Sequence, residues 1–189
     1  MGSKYYETPN IDNLSESGVT FFNGYASSAN CAPSRASMMT GKYHPSHGIY
    51  TVSPSARGLD ITRKIIPTKN TENLDLDFFT MAEMLKTEGY INGHIGKWHL
   101  GHEGYYPKDQ GFDINIGGFE KGSPMGGYYS PYKNPKLSDG PEGEYLTDRL
   151  TDEALGLINN RDSSKPFALF LSYYNVHTPI QANLEYVYY

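Results

Sequence analysis

The sequence predicts an α/β sandwich with a mostly parallel central sheet. Three observations predict it: a helix-then-strand order that occurs three times, short helix-to-strand turns, and a continuous apolar run at Phe167-Ala168-Leu169-Phe170-Leu171. A run without alternation suits a strand buried on both faces of a parallel sheet. The chain has 189 residues, 38% of them hydrophobic, which is enough for one core.

The elements follow in order. Pro9 to Ser17 is expected to be a helix, with Thr8 or Asn10 as cap, Ile11 and Leu14 on one face and Gly18 as its stop. Val19-Thr20-Phe21-Phe22 is expected to be a strand by its β-branched and aromatic content. Ala32 to Thr40 is helical, with Pro33 in the first turn and Gly41 at the end. Asp77 to Thr87 repeats Phe78, Met81, Ala82 and Leu85 at helical spacing and stops at Gly89. Tyr90 to Ile95 is the strand that follows. Tyr145 to Ile158 is amphipathic, with Leu150, Ala154, Leu157 and Ile158 on one stripe, and Lys165-Pro166 breaks the chain before the apolar run. Two long connections, Tyr43 to Leu76 and Gly101 to Glu144, are expected to be site walls or to hold further strands.

Composition excludes several functions. Sixteen basic against 21 acidic residues give a net charge of −5, which argues against an electrostatic nucleic-acid binder. No apolar run approaches a membrane span of roughly 18–20 residues. A single cysteine excludes an intrachain disulfide framework and a Cys-rich zinc module. The chain opens Met1-Gly2-Ser3-Lys4-Tyr5-Tyr6 without a signal-peptide pattern and closes on Leu184-Glu185-Tyr186-Val187-Tyr188-Tyr189, so both ends read as cut.

Three clusters carry candidate chemistry. Cys31 begins a helix, where exposed N–H groups favour an anion, and Arg35 lies one turn on, facing the same point. The interval is too short for a cysteine phosphatase, and Ala36 and Tyr43 stand where a P-loop around Gly41-Lys42 needs glycine and serine or threonine. Lys97 and His99 follow the strand 90–95, at the carboxyl end where α/β sheets bind ligands. His94, within the strand, reads as structural. His177-Thr178-Pro179 lies past a third strand end. Together Cys31, Arg35, Lys97, His99 and His177 form a cationic set suited to a tetrahedral oxyanion.

These residues resemble a known family. Cys31-Ala32-Pro33-Ser34-Arg35 with Thr40-Gly41-Lys42 resembles the first signature of the type I sulfatases, and Gly89-Tyr90 with Gly96-Lys97-Trp98-His99-Leu100-Gly101 resembles the second. Glu7-Thr8-Pro9-Asn10-Ile11-Asp12, Gly111-Phe112-Asp113 and His177-Thr178-Pro179 fall in the same order as in the family. The resemblance implies an alkaline-phosphatase-like sandwich. It implies that a separate maturation enzyme converts Cys31 to formylglycine, whose hydrate attacks the sulfur of a sulfate ester with help from a divalent cation, usually calcium. Arg35 and Lys97 would hold the hydrate, Lys97 and His177 would contact the sulfate, His99 would be the base for sulfate release and His177 the acid for the leaving alcohol.

It also implies metal ligands that this sequence lacks. Paired aspartates before Tyr5 and a later acidic group are absent, which leaves Cys31, as formylglycine, the one metal ligand that can be placed. Residues 1–189 are therefore expected to be a partial catalytic domain, without its first metal-binding strand and its C-terminal part. The expected substrate is a sulfated carbohydrate, because aromatic faces of the segment Gly117 to Tyr132 would stack on sugar rings. A phosphate or phosphonate monoester hydrolase of the same fold, or a non-catalytic glycan-binding remnant, are the alternatives. The family implies a periplasmic or secreted setting.

Overall fold

A computed structural model describes residues 2–52 and 54–187. Its helices are α1 (Pro9–Ser17), α2 (Cys31–Thr40), α3 (His44–His47), α4 (Met81–Thr87) and α5 (Leu146–Asn160). Its strands are β1 (Ile91–Gly96), β2 (Ile114–Ile116) and β3 (Phe167–Ser172), and short 3-10 turns fall at Asp60–Thr62, Pro107–Gln110 and Leu184–Tyr186. The sheet has the order β2-β1-β3 and is parallel throughout. Gly93 sits opposite Ile114 and Leu169, and Gly96 opposite Ser172.

Two apolar layers cover the sheet. Ile95 points to one layer, where Leu146, Leu150 and Ala154 of α5 pack with Phe119, Tyr128, Tyr132 and Tyr174. The other layer holds Ala32, Ala36 and Met39 of α2, with Ala82, Trp98, Leu100 and Phe112. This is the two-layer burial that the period-2 strand and the 3.6-period helices demand. Gly96 has φ 94°, and a Cβ there would lie 2.1 Å from Ser172 O, so only glycine lets the ends of β1 and β3 approach this closely.

Local chemistry explains the helix ends. Thr80 and Glu83 form a reciprocal capping box at the start of α4, with Thr80 N–H donating to Glu83 Oε2 at 2.7 Å. Gly41, at φ 65°, closes α2 and donates its N–H to Ser37 O.

Two expectations need correction. Val19 to Phe22 form no strand; Val19, Phe21 and Phe22 are 80%, 81% and 93% exposed. Their β-branched and aromatic content favours a strand, but none of the three described strands pairs with this segment. β3 is half-buried along its whole length, because it lies at an edge of the sheet instead of its centre. The long connection 101–144 does hold a further strand, β2, which supplies the other edge.

His94 lies wholly within the core, edge-on to Trp98 and Phe112 at 5.2 and 5.4 Å between ring centroids. Burial, with Arg35 adding, pushes its pKa down to about 3, so it is neutral.

Asp113 pins the start of the sheet. Its Oδ2 accepts from Asn92 N at 2.9 Å, its Oδ1 from Lys86 Nζ at 2.8 Å, and its own N–H donates to Asn92 O. Partial burial pushes the carboxyl up, but the Asn92 N–H and the Lys86 ammonium more than offset this and hold it below the usual carboxylate range. A carboxyl depressed on folding stabilises above its unfolded pKa of about 4 and loses that contribution as pH falls through its folded value. Asp113→Ala is expected to destabilise by about 1–3 kcal/mol at neutral pH in urea titrations. The gap from wild type should close in acid; a gap unchanged at the lowest folded pH would contradict this account.

Candidate active site

The site is built where α2 begins and where β1 and β3 end. Cys31 is the first residue of α2, half-buried, and His99 Nδ1 lies 3.3 Å from its Sγ. His99 leaves β1 in the left-handed region at φ 62°, and its N–H donates to Phe119 O at 3.0 Å. Lys97 is 7% exposed and lies close enough to Cys31 to feel it electrostatically. Burial pushes its pKa down, the neighbouring Arg35 pushes it further, and Cys31 opposes both.

Arg35 does not reach forward to Cys31 as the helical spacing predicts. Its Nε donates to Trp98 O at 2.7 Å, and its Nη2 donates to both Lys97 O and Ser172 Oγ. The guanidinium sits behind the cluster as a brace between α2 and the ends of β1 and β3. Burial lowers its pKa to about 10, so it stays charged at neutral pH and contributes to the potential at Cys31. Burial lowers His99 to about 4, with Lys97, Arg35, His177 and Lys121 adding. A neutral imidazole beside the group at position 31 can accept a proton.

His177 stands further out. It is exposed, its Nδ1 is 2.8 Å from Thr178 O, and His99 feels it electrostatically. Tyr128 fixes its backbone by donating its hydroxyl to Tyr174 O and His177 O at 2.8 and 3.0 Å. Cys31 and His99 thus meet directly, Lys97 lies near them, Arg35 lies behind, and His177 occupies the rim.

The segment Gly117 to Tyr132 departs from expectation. Phe119, Tyr128 and Tyr132 are buried in the core instead of offering ring faces to a ligand. What the segment gives the site is Glu120, Lys121 and Gly122, none of them legible as a motif. The signal is the carboxyl end of β2, hidden because a three-residue strand has no periodicity to read. A small cleft of about 60 Å³ opens beside His99, walled by Thr51, Asn70, Glu72, His102 and Glu120.

A divalent cation needs several oxygen ligands, about 6–8 for calcium. Among the described residues no group of three or more His, Cys, Asp or Glu side chains could hold one, and the groups facing Cys31 are cationic or neutral nitrogens. The cluster by itself does not fit a metal ion. Among the described residues no helix is long and apolar enough to cross a membrane.

A cysteine, a lysine and a histidine gathered at the strand ends of a parallel α/β sheet have the chemistry to attract an anion. The sulfatase family model matches residues 1–189, and the chain belongs to the sulfatase family. It is 30% identical over 209 residues to arylsulfatase G of Homo sapiens, covering 92% of this chain and 37% of that protein. It is 34% identical over 174 residues to the N-acetylglucosamine-6-O-sulfatase of Bacteroides thetaiotaomicron, covering 89% and 26%. The crystal structure of Ps i-CgsB in complex with k-i-k-neocarrahexaose superposes with a TM-score of 0.72 at 30% identity, covering 96% of this chain and 42% of that one. The fold is therefore the alkaline-phosphatase-like α/β fold of the sulfatases. The chain spans roughly a quarter to two-fifths of the length of these proteins.

Proposed function

We propose that the protein is a sulfuric ester hydrolase acting on a sulfated carbohydrate, with position 31 as its nucleophile. The observation that carries this reading is the contact of His99 with Cys31 at the start of α2, with the buried Lys97 ammonium nearby. Lys97, with Arg35 behind it, supplies positive potential where a sulfate oxygen would sit. His99, neutral above about pH 4, takes a proton from the group at position 31 during sulfate release. His177 at the rim protonates the leaving alcohol.

The thiol stands where the reading requires an aldehyde. A separate maturation enzyme would oxidise Cβ of Cys31 by two electrons, with sulfur leaving as sulfide and that enzyme supplying the oxidant. The hydrated aldehyde then offers a hydroxyl in place of the thiol. Sulfatases generally use a metal ion as well; Cys31, once converted, is the one ligand proposed here. The names of two relatives support a carbohydrate: one is an N-acetylglucosamine-6-O-sulfatase, and the other was crystallised with an oligosaccharide. The proposed setting is periplasmic or secreted, as the resemblance implies.

The test uses full-length protein made together with a maturation enzyme. The peptide containing Cys31 is expected to weigh about 18 Da less than its thiol form. The protein should release sulfate from a 6-O-sulfated amino sugar faster than it releases phosphate from the matching phosphate ester. An unchanged mass would remove the aldehyde from the reading; a preference for the phosphate ester would make the protein a phosphomonoester hydrolase of this fold.

A further inference from the structure

We infer that Gly122 is a positioning residue, whose missing side chain seats the His99 imidazole against Cys31. The inference rests on the reading of His99 as the proton acceptor. A Cβ on Gly122 would lie 2.3 Å from both Cε1 and Nδ1 of the His99 ring and 2.9 Å from Cγ. Ordinary carbon contacts are about 3.5–4.0 Å, so a methyl group there and the ring in its present place exclude each other.

The edge of the ring that the methyl would meet is the edge that faces Cys31. Its Nδ1, one of the two atoms such a methyl would meet first, is also the atom 3.3 Å from Cys31 Sγ. The backbone holds both partners. His99 N–H is bonded to Phe119 O, three residues before Gly122, and Phe119 is 3% exposed in the core. The loop that covers the ring is thus anchored to the residue whose ring it covers. Gly122 has no left-handed φ, unlike Gly96 or Gly101, so its backbone makes no demand for glycine; the requirement is one of space beside the imidazole. Alanine at 122 must turn the ring, and the distance that changes first is the one to position 31.

The experiment compares four matured, full-length proteins: wild type, Gly122→Ala, His99→Ala and the double variant. Gly122→Ala is expected to lower kcat about 10- to 100-fold, with KM changed less than about threefold. Like His99→Ala, it should release a rapid burst of about one alcohol per site before a slow steady state. The double variant should be no slower than His99→Ala alone, since no ring remains to be displaced. Losses that multiply in the double variant would overturn the inference, and so would wild-type kinetics in Gly122→Ala beside a slow His99→Ala. Wild-type turnover in His99→Ala would overturn the role of His99 itself. The seat has a separate readout in stability. If Gly122→Ala lowers Tm or prevents folding, adding His99→Ala should restore it, and failure to do so would show that the ring is not what the methyl meets.

Discussion

Cys31→Ala in the full-length enzyme is expected to abolish turnover, a loss of at least about 10⁴-fold, while the protein stays folded. The fold tolerates the change because Cys31 is half-buried at the first position of α2. The neighbours that pack the core there are Ala32, Pro33 and Ala36. Alanine is also a good helix former, so the far-ultraviolet spectrum and Tm should be close to wild type. Activity fails for a different reason: Lys97 and His99 would face a methyl group with nothing to activate. Cys31→Ser keeps an oxygen nucleophile in place of sulfur, yet it should be as inactive as alanine in a host whose maturation enzyme oxidises only cysteine. Measured sulfate release from Cys31→Ala above a hundredth of wild type would remove position 31 from the chemistry.

Arg35→Ala is expected to fail as a structure before it fails as a catalyst. The guanidinium satisfies Trp98 O and Lys97 O and reaches Ser172 Oγ, all at the strand ends beneath the site. Removing it strands two carbonyls around a cavity, each costing roughly 1–3 kcal/mol when left without a partner. Arg35→Lys keeps the charge but lacks the planar fork that bonds several acceptors at once, so it should recover part of the stability and little of the activity. Urea titration of both variants, with sulfate release measured on the folded fraction, separates the two effects. Full stability and full activity in Arg35→Lys would mean that charge alone, and not the brace, is what this position supplies.

Features set by near neighbours in sequence are legible without coordinates. The helix 31–40 and its stop at Gly41 follow from composition, and so do the strand 91–96 and the helix before it, although that helix begins at Met81 and not at Asp77. The Lys97 and His99 pair is legible because a strand end is a local event. Long-range features are not. The spacing of Cys31 and Arg35 places both on one side of a helix, but the acceptors that capture Arg35 lie 62, 63 and 137 residues away. Val19 to Phe22 has the composition of a strand and no partner among the described strands, and pairing cannot be read from composition. The tyrosines of 117–132 read as a ligand surface because ring content does not tell core from cleft. The buried hydroxyls of Tyr128 and Tyr132 decide it by finding acceptors at Tyr174 O and Glu144 Oε2.

The bracing of Arg35 also bears on how the site comes apart. Its bonds and the Cys31–His99 contact close loops of 62, 63, 68 and 137 residues. Closing such loops for a few hydrogen bonds alone is entropically unfavourable, so the sheet must already hold the ends of β1 and β3 together. The cluster therefore has no local stability of its own. It does not belong to the low-energy openings that let loops fray while a domain persists. Under mild denaturant the contacts at Cys31 should be lost together with the parallel pairing of β1 and β3, in the same cooperative transition.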